Sequence, residues 1–370
     1  MRIAIVGCGQ LSRMMAIAGI PLGLQFSFVK DNIGQSNECV EGLGLIQESP
    51  EKGGEGYNKQ AIEKLYNDLG KPDCVTVEKE QVDLDLLIAL ADFCPVYPGI
   101  EAVKACQHRG EEKQLLANLS IPTSPYFYNA KAVEAVAELG FPVMVKSCTE
   151  GYDGKNQWLL KTKQDAEEFD ALNVQDYIIE AFVAFDKEIS QVSVRSKSGE
   201  IKHYALADNH HEKGILIGSI TPAVNISEKL IGKAQRHMES LLTELNYVGV
   251  LAMECFVLGD DLMVNELAPR VHNSGHWTQL GSITCQFENH VRAILGISLG
   301  STSQVSPTAM LNLIGTELPS FDVLDENSTL YWYNKTVRDN RKLGHINFVA
   351  NTHEELYQKM SELGDKVSSK

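Results

Sequence analysis

The first twenty residues constrain the fold more than any other part of the sequence, because IAIVGCGQLSRMM joins an apolar run, two glycines and a helix-like stretch. This order predicts a β-strand at Arg2–Val6, a tight turn at Gly7 and Gly9, and a helix at 11–18. Apolar and helical runs then continue, with strands predicted at 24–29, 43–46, 74–77 and 95–97 and a helix at 59–69. Strands that alternate with helices predict a parallel sheet covered on both faces.

The same opening comes close to the fingerprint that binds dinucleotides, since Asp31 closes the next apolar run. Ser12 stands where that fingerprint has its third glycine, which argues against helix–strand packing of the dinucleotide type. A helix that begins at this turn still favours an anion at its N-terminus. An NAD(P) oxidoreductase is therefore one alternative function.

Beyond residue 105 the pattern changes to α+β. A charged helix is predicted at 103–119, the prolines of SIPTSPY mark a boundary, and a helix at 131–139 precedes several strands. The tail is β-rich and ends in a helix at 353–363. We predict an N-terminal α/β domain at 1–105, a second domain at 106–300 with a smaller unit at about 120–187, and a C-terminal β-rich domain at 301–370.

Composition excludes several classes of protein. A formal net charge of −16 argues against a nucleic-acid surface as the main function. The sequence contains no apolar run of about 18 residues, so we expect no transmembrane helix and a cytoplasmic protein. The 8 cysteines are scattered and form no CxxC pair, which argues against a zinc site and a disulfide framework.

A predicted hairpin, MECFVLGDDLMVNEL, carries two glutamates. A turn centred on Asp260 places Glu254 opposite Glu266 on one face of the sheet. Three apolar residues are expected beside them on that face: Phe256, Leu262 and Val264. Facing like charges are destabilising, and a hard cation such as Mg²⁺ removes the conflict, with Asn265 as a further oxygen ligand. The alternative is a surface hairpin with two solvated glutamates.

Hydrogen-bond donors follow this hairpin directly, in APRVHNSGHW. The segment contains Arg270, His272, Asn273 and His276 within seven residues. Donors beside a carboxylate pair are typical of a site that holds an anion against a metal ion.

A glycine loop lies earlier, in VKSCTEGYDGKNQW. Lys146 ends a strand there, and Gly151 and Gly154 let backbone N–H groups approach phosphate oxygens. The loop is not a Walker A sequence, and taken alone it is more typical of an ordinary hairpin loop than of a phosphate site. Downstream, Glu180 and Glu188 fit recognition of adenine and ribose, or are two solvated glutamates.

Together these motifs resemble the ATP-grasp superfamily. Five of them are more specifically similar to the 5-(carboxyamino)imidazole ribonucleotide synthase family: GCGQLSRM, GYDGKNQW, FDKEIS, NELAPRVHNSGHWT and QFENHVRAILG. The resemblance runs from residue 1 to about 348. It implies an ATP-grasp fold with an N-terminal Rossmann-like domain, a small lid subdomain and a C-terminal β-rich cap.

The resemblance also implies roles for residues. ATP would contact Arg109, Lys146, the loop Gly151, Tyr152, Asp153, Gly154, Lys155, Asn156 and Gln157, the connector Glu180, Ala181, Phe182 and Val183, and Glu188, His211, Asn265 and Glu266. Two Mg²⁺ ions, or Mn²⁺, would be bound by Glu254 and Glu266. Arg270 and Asn273 would face bicarbonate, and Tyr152 and Asp153 the aminoimidazole ring. The ribonucleotide would contact Gly9, Gln10, Leu11, Glu78, Glu80, His272, Lys335, Arg341 and Lys342.

The family implies ATP-dependent carboxylation of 5-aminoimidazole ribonucleotide by bicarbonate in purine biosynthesis, in a homodimer that hands its product to a mutase. No nucleic-acid or membrane partner is implied. Departures from the family pattern include His108, where an acid is common, and Val77 and Lys79, where aromatics are common. The remaining alternatives are biotin carboxylase, a formate-dependent glycinamide ribonucleotide transformylase and a non-catalytic nucleotide sensor.

Overall fold

A computed structural model describes residues 1–30, 36–54, 56–149 and 156–368. The N-terminal region forms a parallel sheet in the strand order β3-β2-β1-β4-β5. Its elements are β1 (Arg2–Val6), α1 (Gln10–Gly19), β2 (Gln25–Lys30), β3 (Leu45–Glu48), α2 (Lys59–Asp68), β4 (Cys74–Val77), α3 (Leu84–Ala91) and β5 (Val96–Tyr97). Apolar side chains bury both faces of this sheet, so the predicted parallel architecture is confirmed.

The single helix predicted at 103–119 is wrong. The chain forms two helices, α4 (Ile100–Gln107) and α5 (Arg109–Asn118), which are separated by His108. His108 has an extended backbone (φ −124°, ψ 118°), and its Nδ1 accepts hydrogen bonds from the N–H groups of Gly110 and Glu111. A histidine therefore provides the N-cap that starts α5, which the helical periodicity across this point did not reveal.

The next unit is a small antiparallel sheet in the order β6-β9-β7-β8, with helices on one face. Its elements are β6 (Tyr126–Tyr128), α6 (Ala132–Leu139), β7 (Val143–Ser147), β8 (Gln157–Leu160), α7 (Lys163–Ala171) and β9 (Tyr177–Ala181). Lys146 pairs with Gln157 across β7 and β8. Gly151, Tyr152, Asp153, Gly154 and Lys155 lie outside the described residues.

The largest sheet is antiparallel and runs in the order β15-β14-β10-β12-β13-β16-β18-β17, with β11 paired to β10. Its elements are β10 (Lys187–Arg195), β11 (Ile201–His203), β12 (Ala207–Glu212), β13 (Ile215–Thr221), α8 (Glu228–Glu244), β14 (Gly249–Leu258), β15 (Asp261–Ala268), α9 (Thr278–Gly281), α10 (Gln286–Leu295), β16 (Thr308–Ile314), β17 (Ser328–Trp332), β18 (Lys342–Val349) and α11 (His353–Ser368). Strands from the C-terminal segment thus continue the sheet that carries the glutamate hairpin. In the described part of the chain, every helix is too short or too polar to cross a membrane.

Candidate active site

One cavity of about 760 Å³ lies where the parallel sheet, the small sheet and the large sheet meet. Polar side chains from all three sheets line it. The predicted site residues on its wall are Gly9, Gln10, Leu11, Glu78, Glu80, Arg109, Lys146, Gln157, Glu180, Ala181, Phe182, Val183, Glu188, His211, Glu254, Asn265, Glu266, Arg270, His272, Asn273 and Lys342. Residues that are more than 300 positions apart in the sequence therefore share one chamber.

The other predicted site residues in the described part of the chain do not line the cavity. Asn156 is exposed and has a left-handed backbone (φ 52°). Lys335 lies behind the wall, where its Nζ donates to Gln10 Oε1 at 2.5 Å and to the Lys342 carbonyl at 3.3 Å. Arg341 is half-buried and donates to the Thr336 carbonyl at 2.8 Å.

The facing glutamates are confirmed, but by a different register from the one predicted. Leu258 pairs with Asp261, so the turn comprises Gly259 and Asp260, and Glu254 still faces Glu266 because a β-bulge intervenes. The extra residue of the bulge is Asn265, which has no pairing partner on β14. The bulge lets both Asn265 and Glu266 line the cavity.

The bulge also corrects the predicted apolar neighbours. Val264 pairs with Cys255 and Leu262 pairs with Val257, and all four side chains pack in a hydrophobic core on the other face of the sheet. Of the three predicted apolar neighbours, Phe256 alone lines the cavity with Glu254, and its ring stacks on Phe185 at a centroid distance of 4.5 Å.

The electrostatics of the glutamate pair favour a bound cation. Burial, followed by the charge of Glu266, raises the pKa of Glu254 to about 7. Two cationic side chains lie beside the hairpin: an Arg109 nitrogen lies 3.5 Å from the Glu266 carboxylate, and Lys146 Nζ lies 3.3 Å from Asn265 Oδ1. The side-chain oxygens of Glu254, Asn265 and Glu266 on one cavity wall match the preference of Mg²⁺ for hard oxygen ligands.

Glu180 lies between two lysines, one of which the sequence analysis missed. Lys146 Nζ is 2.5 Å from Glu180 Oε2, and the ammonium of Lys113, whose side chain is only 1% exposed, pairs with Glu180 Oε1. Burial alone would raise the pKa of Glu180, but Lys146 and then Lys113 hold it well below its usual value. Arg109 and Lys113 lie four residues apart on one helical face, and that spacing could have identified Lys113.

Glu112 is the second residue that was missed. It lines the cavity, and its Oε2 accepts a hydrogen bond from the Leu267 N–H at 2.9 Å. Burial raises the pKa of Glu112 to about 7. The sequence showed only a charged helix, in which exposed and buried glutamates are indistinguishable.

The donor segment 270–276 is fixed by buried partners. Arg270 Nε donates to Glu80 Oε2 at 2.6 Å. Gln286 accepts from the His272 N–H at 2.9 Å and donates to its carbonyl at 2.6 Å. His276 is fully buried, packs on His345 with ring centroids 4.8 Å apart, and lies away from the cavity wall, so it does not join the predicted donor cluster.

The opening glycines make room for a glutamate. The Glu78 carboxylate accepts hydrogen bonds from the N–H groups of Gly9 at 2.6 Å and Leu11 at 3.2 Å, at the N-terminus of α1. A Cβ added at Gly7 would lie 2.5 Å from Glu78 Oε2, and one at Gly9 would lie 2.3 Å from Oε1. The expected anion at this helix terminus is thus the carboxylate of Glu78. A dinucleotide phosphate would have to displace it, which disfavours the NAD(P) alternative.

Three family models match the chain in succession. They describe a ribonucleotide synthetase preATP-grasp domain at residues 1–107, an ATP-grasp domain at 114–287, and a phosphoribosylaminoimidazole carboxylase C-terminal domain at 308–359. The N5-carboxyaminoimidazole ribonucleotide synthase of Vibrio cholerae is 39% identical over 100% of this chain and 96% of its own length. That of Bacillus subtilis is 36% identical over 97% of this chain and 94% of its own length.

Solved structures agree with these matches. The N5-carboxyaminoimidazole ribonucleotide synthetase of Thermus thermophilus superposes with a TM-score of 0.88 at 39% identity, covering 99% of this chain and 98% of that one. The Aspergillus clavatus enzyme in complex with ADP and 5-aminoimidazole ribonucleotide superposes with a TM-score of 0.87 at 26% identity, covering 100% of this chain and 99% of that one. This chain therefore belongs to the N5-carboxyaminoimidazole ribonucleotide synthase family of ATP-grasp enzymes.

Proposed function

We propose that this enzyme uses ATP and bicarbonate to carboxylate 5-aminoimidazole ribonucleotide in purine biosynthesis, giving 5-(carboxyamino)imidazole ribonucleotide, ADP and phosphate. The observation that carries the proposal is the glutamate pair, Glu254 and Glu266, in one chamber with Lys146, Arg109 and Arg270. The names of the relatives and the ligands of the Aspergillus structure support it.

Lys146 and Arg109 would bind the ATP phosphates in this proposal. The connector 180–183 would hold adenine, and Glu188, with His211 at 3.3 Å, would bind the ribose. Glu254, Asn265 and Glu266 would bind two Mg²⁺ ions, for which their oxygen atoms fit. When bound, Mg²⁺ supplies positive charge that neutralises the phosphates.

The chemistry would begin with bicarbonate held by Arg270 and Asn273. A bicarbonate oxygen attacks the γ-phosphorus, the bond to the ADP oxygen breaks, and carboxyphosphate forms. Its C–O bond to phosphate then breaks to give CO₂, which the exocyclic amine captures as a carbamate with loss of one proton. Because Arg270 is fixed by Glu80, it can stabilise charge without reorganising during the reaction.

The ribonucleotide phosphate would be bound by Lys335, Arg341 and Lys342 beside Gln10. The loop that carries Lys335 and Arg341 is tied to the N-terminal region by Glu38, whose carboxylate accepts hydrogen bonds from the N–H of Thr336 at 3.0 Å and from its hydroxyl. These two hydrogen bonds lower the pKa of Glu38 to about 2, so the tie is intact at neutral pH.

Removing this tie should weaken ribonucleotide binding selectively. We expect Glu38→Ala to raise the KM for 5-aminoimidazole ribonucleotide about fivefold, because Lys335 and Arg341 lose a fixed position, with the KM for ATP unchanged. Glu41→Ala, at an exposed position nearby, is the matched control in steady-state assays. An equal rise of both KM values in Glu38→Ala would contradict this assignment.

The acceptor distinguishes the proposal from its rivals. We expect 5-aminoimidazole ribonucleotide to stimulate ADP release from ATP and bicarbonate, whereas biotin, or formate with glycinamide ribonucleotide, should not. Stimulation by either rival acceptor alone would refute the proposal, and ATP binding without turnover would indicate a nucleotide sensor. The proposal also includes a cytoplasmic homodimer that hands the carbamate to a mutase; sedimentation of the purified enzyme tests the dimer.

A further inference from the structure

Two asparagine side chains form a reciprocal pair behind the bicarbonate-facing wall. Asn273 Nδ2 donates to Asn312 Oδ1 at 3.0 Å, and Asn312 Nδ2 donates to Asn273 Oδ1 at 2.7 Å. Asn312 lies on β16 and is only 4% exposed, whereas Asn273 is half-buried and lines the cavity. The C-terminal segment therefore contacts the candidate active site through this amide.

A third hydrogen bond fixes the orientation of the pair. Asn312 Nδ2 also donates to the backbone carbonyl of Leu216 at 2.9 Å. A carbonyl only accepts, so this atom of Asn312 has to be the nitrogen, and its Oδ1 has to face the nitrogen of Asn273. Turning over one of the two amides would place the two nitrogens against each other and the two oxygens against each other. Both hydrogen bonds of the pair would be lost, which is costly for buried polar groups.

We propose that Asn312 is a positioning residue that fixes the amide of Asn273 in the orientation needed to hold bicarbonate. The inference rests on the proposed function, in which Asn273 touches the anion. Because one N–H and one lone pair of Asn273 are committed to Asn312, one N–H remains for an oxyanion. Asn312 itself makes no contribution to the cavity wall among the described residues, so its effect passes through Asn273.

The test is steady-state kinetics of Asn312→Ala, with Asn312→Asp as a second variant of equal size that lacks the donor. We expect the KM for bicarbonate to rise at least about fivefold in both, from the loss of a buried hydrogen-bond partner, while the KM for ATP stays within about twofold. In an Asn273→Ala background, Asn312→Ala should add little further loss in kcat/KM for bicarbonate, because its target is gone.

Asn347 provides the matched control. It is a fully buried asparagine on the neighbouring strand β18, and its Nδ2 donates to the His276 carbonyl at 2.8 Å. Asn347→Ala removes a similar buried hydrogen bond from the same donor segment, so it should lower thermal stability without a selective change in the KM for bicarbonate. If Asn312→Ala does not fold, the KM of Asn312→Asp for bicarbonate decides the test.

An unchanged KM for bicarbonate in Asn312→Ala, equal rises for bicarbonate and ATP, or effects additive with Asn273→Ala would each overturn the inference. The proposed function is judged separately, on the wild-type enzyme. If wild-type ADP release responds to 5-aminoimidazole ribonucleotide and the Asn312 variants behave like Asn347→Ala, only the positioning role fails.

Discussion

Replacing Glu266 with glutamine is expected to reduce kcat at least about 100-fold without loss of folded protein. Glu266 faces Glu254 across the hairpin, and two carboxylates that face each other repel unless a cation joins them. Glu266→Gln removes one of two anionic ligands while keeping the shape of the side chain. It also removes the repulsion between the two carboxylates, so we expect thermal stability in the absence of Mg²⁺ to stay equal or rise.

The measurement combines ADP-release kinetics with thermal unfolding, with and without Mg²⁺ and ATP. Wild-type protein should be stabilised by the ligands together, and Glu266→Gln much less. Glu200→Gln, at an exposed position in the turn between β10 and β11, is the control for loss of one negative charge. Near wild-type turnover in Glu266→Gln would remove the metal-pair hypothesis.

The second large effect concerns the fold. Gly7→Ala is expected to reduce the free energy of unfolding by about 3 kcal/mol, since an added Cβ meets both backbone strain and a fixed neighbour. Gly7 has φ +125°, and the new Cβ would lie 2.6 Å from the Cβ of Glu78, which cannot swing away as a carboxylate end can. Urea unfolding of the purified variant measures the loss.

Two comparisons make this prediction specific. Gly9→Ala should cost less, because Gly9 has φ −92° and its added Cβ would meet the end of the Glu78 side chain rather than the Glu78 Cβ. Gly54→Ala, where the added Cβ would contact nothing within 4 Å, should be close to neutral. Equal stability of Gly7→Ala and Gly54→Ala would contradict the account of the opening turn.

Local sequence patterns predicted the helices and strands well, but they predicted the register of strand pairing less well. The parallel sheet followed from alternating runs, because each strand and helix carries its own periodicity. The predicted pairing of Glu254 with Glu266 assumed a turn centred on Asp260, whereas the observed turn is centred between Gly259 and Asp260. The bulge at Asn265 compensates for this difference, so the two glutamates still face each other. A bulge leaves no periodic trace in a single sequence, so the faces of Leu262 and Val264 could not be read correctly.

Contacts between residues that are distant in the sequence were the other feature that could not be predicted. Glu78 contacts Gly9 across 69 positions, and Asn312 contacts Asn273 across 39. Only the assembled sheets bring these pairs together. The break between α4 and α5 was not predicted because it depends on one residue. The side chain of His108 caps α5 in place of the residues that usually mark a turn. The predicted domain boundaries and the individual residue roles stay predictions.

The most direct test of the central claim follows the carbon of bicarbonate. The wild-type enzyme is incubated with ¹³C-bicarbonate, ATP, Mg²⁺ and 5-aminoimidazole ribonucleotide, and the carbamate is observed by ¹³C NMR while ADP is measured in the same sample. The proposed reaction predicts one labelled carbamate on the exocyclic amine for each ADP formed. ADP formed without labelled carbamate, or no ADP above the level without the ribonucleotide, would contradict it.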